Sequence, residues 1–165
     1  FLTALFTEAK KGGIHTCLDT SGIMYRPEKQ EEYDRLFQAL DLVLLDFKHS
    51  TEEEHKKLTA RSQSHILEFA RALEKAEIPM IVRHVVVPGI TDTPEHLLRL
   101  GRLIGGFRNL KGLEVLPYHT MGEVKYKKLG IEYPLAGLEN LPPEKAKEAR
   151  NIILEGIRQI RTKKK

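Results

Sequence analysis

Five ionisable side chains mark the ends or interrupt the middle of otherwise apolar runs in this sequence. Asp19 closes the run 14–19 and is followed by Thr20, Ser21 and Gly22; Asp46 and Lys48 close the run 42–47. Arg83 stands inside the run 80–87, and His119 follows Pro117 and Tyr118 after the run 112–116. Carboxylates at Asp19 and Asp46 suit an ammonium, ribose hydroxyls or a cation. Lys48 and Arg83 suit a carboxylate or phosphate, and His119 can bond a ligand through either ring nitrogen. The set fits a zwitterionic or nucleotide-like ligand. Each residue also has a plainer reading. Asp19 could accept backbone N–H groups in a turn closed by Gly22, Lys48 could reach solvent along its stem, and His119 could be an ordinary surface histidine. Arg83 is harder to set aside, because a charge inside an apolar strand must be paired or face a polar cavity. The coincidence of several such strand ends favours a site. Cys17, two residues before Asp19, reads as a small buried apolar residue.

The elements that would carry these residues follow from periodicity. Phe1, Leu2, Leu5, Phe6 and Ala9 recur at helical spacing and stop at Gly12 and Gly13. A first strand is expected over 14–19. Tyr33, Leu36, Phe37 and Leu40 form a second helical stripe. The apolar run 42–47 has the signature of a strand buried on both faces. Ser50 with Glu53, or Thr51 with Glu54, fits a capping box, and Ile66, Leu67, Phe69, Ala70 and Leu73 mark a longer helix. A third strand over 80–87 ends at Pro88 and Gly89. Thr93 and Pro94 read as an N-cap and first helical residue, leading into Leu97, Leu98, Leu100, Leu103 and Ile104. A fourth strand over 112–116 is followed by a long loop, 119–141, of the kind that serves as a lid or docking surface. Pro142 and Pro143 open a final helix over 142–161 with Ala146, Ala149, Ile152, Ile153, Ile157 and Ile160 inward. Strands alternating with helices predict an α/β fold with a parallel sheet, either open and doubly wound or part of a barrel. In both, ligands bind at the C-terminal strand ends, which is where Asp19, Asp46, Lys48 and His119 stand, with Arg83 inside the third strand.

Composition narrows the classes. The 165 residues, 41% hydrophobic and 30% charged, suit one domain with a real core. One cysteine excludes an internal disulfide and any zinc or iron–sulfur site built from this chain's thiolates alone. No apolar run approaches a membrane span, so no membrane partner is expected, and the default compartment is the cytoplasm. Part of the net charge of +4 sits in Arg158, Arg161, Lys163, Lys164 and Lys165. That tail has no aromatics to interleave with its charges, so no nucleic-acid partner is expected. There is no glycine-rich phosphate loop and no nucleophile elbow.

The segments GIHTCLDTSG, DLVLLDFKH, IVRHVVVPGITD and LEVLPYHTMGEVKY, with the later YKKLGIEYPL, resemble the pyruvate formate-lyase activating enzyme family, in order and over nearly the whole chain. The resemblance implies a radical S-adenosylmethionine fold, a partial TIM-like (β/α)6 barrel of which this chain would supply about four of six strands. It implies a [4Fe–4S] cluster that reductively cleaves S-adenosylmethionine, and a 5′-deoxyadenosyl radical that takes a hydrogen from a glycine of a partner glycyl radical enzyme such as pyruvate formate-lyase. An electron donor of the flavodoxin or ferredoxin type would serve the intact enzyme. By the same resemblance Asp19, Lys48 and His119 would contact S-adenosylmethionine, and Arg83 would point into the active-site cavity. Asp19, Thr20, Asp46 and the Leu44 carbonyl would form a monovalent-cation site.

The sequence departs from the family in lacking the cluster motif C-x-x-x-C-x-x-C and the Gly-Gly-Glu motif. It is therefore expected to be the C-terminal part of such an enzyme, a single partial barrel domain over 1–165, without a cluster and inactive alone. Its first strand is expected to be an exposed edge or to pair across a dimer. Three alternatives stand beside this one. They are an activase for a different glycyl radical enzyme, a non-catalytic docking half that uses the 119–141 loop, and an ordinary barrel enzyme acting on a phosphorylated ligand.

Overall fold

A computed structural model describes residues 1–163; Lys164 and Lys165 of the basic tail lie outside the described residues. Four strands, β1 (Cys17–Thr20), β2 (Leu42–Asp46), β3 (Met80–Val86) and β4 (Leu110–Pro117), form one parallel sheet in the order β1-β2-β3-β4. The helices are α1 (Leu2–Lys11), α2 (Gln30–Phe37), α3 (Glu52–Thr59), α4 (Ser64–Lys75), α5 (Pro94–Gly105), α6 (Glu123–Leu129) and α7 (Pro143–Thr162). Each crossover moves one strand along the sheet without reversing direction. A doubly wound sheet needs such a reversal; right-handed crossovers without one put the helices on one face, as in a barrel wall. The fold is thus the four-strand arc of a partial TIM-like barrel. β1 stands at one end of the order, so its outer side is an unpaired edge among the described residues.

Alternation along the strands divides the sheet into a packed face and an open one. Val43, Leu45, Met80, Val82, His84 and Val86 are buried against the helices, whereas Leu44, Asp46, Ile81, Arg83 and Val85 are only partly covered. The core joins the first set to Phe47, to Ile66, Phe69, Ala70 and Leu73 of α4, to Leu97, Leu100 and Ile104 of α5, and to Ile153 and Ile157 of α7. Burying each large apolar side chain contributes about 1.5–3 kcal/mol. The run 42–47 is therefore not buried on both faces. Four strands cannot close a barrel, and the face that would line its lumen stays half open.

Local signals set the helix ends. Thr51 caps α3, its hydroxyl accepting from the Glu54 N–H, and Thr93 does the same for the His96 N–H ahead of Pro94 in α5. The segment expected as a loop contains a 3-10 turn, Thr120–Gly122, and α6. Glu123 lies in the first turn of α6, Lys127 and Lys128 in its last, and Gly130 closes it in the left-handed conformation. Only four strand residues form β1, because 14–16 lead into it: the Thr16 hydroxyl and N–H bind Ala39 O and Asp41 instead of a strand ladder. β4 runs longer than 112–116, pairing with β3 from Leu110 to Pro117.

Candidate functional site

The open face gathers a row of charges. Arg83 sits on β3 opposite Asp46 of β2 and Glu114 of β4, while Asp19 of β1 pairs with Leu44. The Arg83 Nη1 donates to Asp19 Oδ2 at 2.5 Å, spanning β2. On its other side Arg83 Nε lies 2.7 Å from Glu114 Oε2, at ion-pair distance. That Nε is buried and its N–H is not aligned on the carboxylate, so it has no hydrogen-bond acceptor. The hydrogen bond to Asp19, then the nearby charges of Asp19, Glu114 and Asp46, hold the guanidinium's pKa above its ordinary value against the desolvation that opposes it. Just past the end of β2, Lys48 Nζ donates to Asp46 Oδ2 at 2.8 Å.

Of the residues singled out in the sequence, Asp19 and Arg83 are brought into contact, as are Asp46 and Lys48, and the two pairs share one face through the Asp46–Arg83 register. His119 does not join them. It is exposed at the end of β4, where it precedes the 3-10 turn, and among the described residues it makes no hydrogen bond to the other four. Thr20 stands one residue beyond Asp19 and so on the opposite parity; its hydroxyl accepts from the Gly22 N–H at 3.0 Å. It lines a cavity of about 310 Å³ between α1, β1 and α2 rather than the charged face. Cys17, expected to be buried, is exposed: it shares the parity of Asp19 on the open face of an edge strand, where no helix covers it. Among the described residues no cluster of three or more His, Cys, Asp and Glu side chains is placed to hold a metal ion.

Two features escaped the sequence reading. Glu114 is a carboxylate inside an apolar strand, as Arg83 is, but its run 112–116 is shorter, follows Lys111 and begins with Gly112, so the charge stands out less. Behind the charged face lies a buried set of histidines, His49, His84 and His96. His84 and His96 are held below their ordinary pKa chiefly by burial, His96 down to about 3. The signal for His84 was its place inside the same apolar run as Arg83, at the opposite parity.

The sequence and the barrel-arc fold match known proteins. The sequence profile of the Radical SAM superfamily matches residues 1–101. The chain belongs to the radical SAM superfamily. Curated relatives of this radical SAM chain include the pyruvate formate-lyase-activating enzyme of Streptococcus mutans, 44% identical over 155 residues, which are 93% of this chain and 59% of that protein. The enzyme of the same name from Listeria monocytogenes is 45% identical over 157 residues, 94% of this chain and 63% of its own length. The radical SAM chain thus spans about three fifths of the length of these relatives. In fold it is similar to the crystal structure of a domain of pyruvate-formate lyase-activating enzyme from Bacteroides vulgatus, with a TM-score of 0.73 at 18% identity over 94% of this chain and 85% of that one. It is also similar to a radical SAM methyltransferase from Sphaerobacter thermophilus, with a TM-score of 0.61 at 13% identity over 88% of this chain and 40% of that one.

Proposed function

We propose that this chain is the S-adenosylmethionine-holding part of an activating enzyme that generates a glycyl radical on pyruvate formate-lyase. The observation that carries the reading is identity of 44% to a curated activase across 93% of the chain. In this reading Lys48 takes the carboxylate of S-adenosylmethionine, Asp19 and His119 hydrogen-bond its polar groups, and Arg83 faces the cavity in which the partner's glycine sits. In the same reading Asp19, Asp46 and the Leu44 carbonyl hold a monovalent cation beside the ligand, where hard oxygen donors suit such an ion; Thr20, whose hydroxyl faces the other way onto the Gly22 N–H, joins that set only through its backbone carbonyl. The open face fits the ligand's charges. It offers carboxylates at Asp19, Asp46 and Glu114 and cations at Lys48 and Arg83.

The chain does not fit the cluster. Cys17 is its single cysteine, and a [4Fe–4S] cluster of this family needs three thiolates. The cluster that would reduce S-adenosylmethionine therefore belongs, in this reading, to residues outside these 165, and the chain's own contribution is to hold the ligand. A single partial barrel domain over 1–165, a cytoplasmic location and a flavodoxin- or ferredoxin-type electron donor belong to the same reading. A chimera tests it: this chain replaces the aligned residues of the Streptococcus mutans enzyme and is assayed anaerobically with pyruvate formate-lyase. A glycine-centred radical in the electron paramagnetic resonance spectrum is expected; a chimera that carries its cluster and cleaves S-adenosylmethionine without forming that radical overturns the partner assignment.

A second reading, a non-catalytic docking half, is favoured by the exposed Met121, Val124, Leu129 and Ile131 in and around α6. Co-purification with a glycyl radical enzyme in the absence of any S-adenosylmethionine affinity would select it.

A further inference from the structure

His84 lies next to Arg83 in sequence but on the packed side of β3, and it is 1% exposed. Its Nδ1 is 2.7 Å from the Phe47 carbonyl oxygen, which can only accept. Its Nε2 is 3.4 Å from His96 Nε2, and His96 Nδ1 is 2.9 Å from Ser50 Oγ. The His49 ring stacks on His96 with centroids 3.9 Å apart, and the Gln63 side chain donates to the His49 carbonyl at 2.5 Å.

Among the hydrogen bonds of this set, proton bookkeeping leaves one neutral arrangement. Because the Phe47 oxygen accepts, His84 carries its proton on Nδ1, and its Nε2 is left as an acceptor. His96 must then donate from Nε2, which leaves its Nδ1 to accept from the Ser50 hydroxyl. The result is a directed chain, Ser50 to His96 to His84 to Phe47. Its two ends grip the residue before Lys48 and the residue two after it, while the His49 ring packs against its middle. Lys48 alone in the turn 47–50 is turned to the charged face, where it meets Asp46.

We propose that His84 and His96 are positioning residues for Lys48: their neutral relay fixes the turn 47–50 on α5 and so aims the Lys48 ammonium at the ligand. The function assigned to Lys48 rests on the reading given under Proposed function; the relay itself does not. Burial lowers the pKa of both rings, that of His96 to about 3. The groups that face them act in both directions. Lys48, Arg99 and the neighbouring histidines disfavour a proton on the relay, the carbonyls of Phe47 and Thr91 favour one on His84, and Glu54 faces His49 from α3.

Imidazole ¹⁵N NMR of the chain tests the relay directly. His84 is expected as the Nδ1–H tautomer and His96 as the Nε2–H tautomer at pH 7, with His96 unchanged down to about pH 5. Another tautomer at either ring, or double protonation of His96 within that range, overturns it. Calorimetry with S-adenosylmethionine then tests positioning through a double-mutant cycle. His84→Phe is expected to weaken binding about fivefold or more. His84→Asn, which keeps a donor for the Phe47 carbonyl, is expected to stay within about twofold of the parent. In a Lys48→Met background, His84→Phe is expected to cost less than about twofold, because the group it positions is gone. Equal losses in both backgrounds would mean a merely structural role and would defeat the proposal. Absence of any S-adenosylmethionine binding by the parent chain would defeat the functional reading instead, and the relay would stand or fall on the tautomers.

Discussion

Arg83 holds a full charge on a strand whose neighbours are apolar, and its two carboxylate partners come from strands on either side of it. The side-chain exposures are 23% for Arg83, 58% for Asp19 and 47% for Glu114, so these pairs remain in reach of water. Pairs of that kind contribute about 0–1 kcal/mol, too little to explain three charges on a sheet face by stability. Arg83→Gln is therefore expected to change urea-unfolding stability by no more than about 1 kcal/mol while weakening S-adenosylmethionine binding about tenfold. A loss of stability above about 2 kcal/mol with unchanged binding would make the row structural. Asp41 illustrates the opposite case. The Lys10 ammonium, then the Thr16 N–H, hold its carboxyl down to about 2 from the usual 3.8, tying α1 to the turn before β2. A carboxylate whose folded pKa is depressed stabilises fully above its unfolded value and loses that contribution as pH falls through the folded one. Acid unfolding should thus steepen between about pH 4 and pH 2, and Asp41→Asn should flatten that limb; identical acid profiles would contradict the assignment. At this scale the sequence revealed Arg83, because a charge in an apolar run stands out. It did not reveal Glu114, because a charge in the short run 112–116, which follows Lys111 and begins with Gly112, stands out less, nor the directed histidine relay, because hydrogen-bond direction depends on distances that spacing does not contain.

The helices and strands position these residues through packing that is tight in one place and open in another. α5 and α7 cross so closely that a Cβ on Gly101 would lie 2.1 Å from the Ile153 carbonyl oxygen, and one on Gly156 would lie 2.3 Å from that of Leu98. Backbone cannot yield as a flexible side chain does. Gly156→Ala is expected to lower stability by about 2 kcal/mol or more, read as an earlier thermal midpoint. A midpoint within a degree of the parent would show that the helices are free to separate. Element order and the Thr51 and Thr93 caps were legible because apolar period and capping chemistry are local. α6 was not, because a seven-residue helix that buries no residue leaves no apolar stripe to find. The half-open face of β2 and β3 was equally hidden: uniform apolar runs look alike whether a barrel closes over them or not.

At the scale of the molecule, four strands make an arc with β1 and β4 at its two ends, and the charged face is the concave surface such an arc would turn toward a barrel's centre. One cysteine cannot hold a [4Fe–4S] cluster. Anaerobic iron–sulfur reconstitution of this chain is accordingly expected to give neither stoichiometric cluster nor S-adenosylmethionine cleavage, and recovery of both would show that the radical chemistry needs less of the barrel than its relatives suggest. The central claim, that the face carrying Asp19, Lys48 and Arg83 holds S-adenosylmethionine, is tested most directly by calorimetric titration of the chain with that compound and with inorganic phosphate, beside Asp19→Asn and Arg83→Gln. Saturable binding of S-adenosylmethionine at one site, absent for phosphate and weakened about tenfold in each variant, is the predicted result; no saturable binding by the parent, or the same affinity in all three proteins, would contradict it.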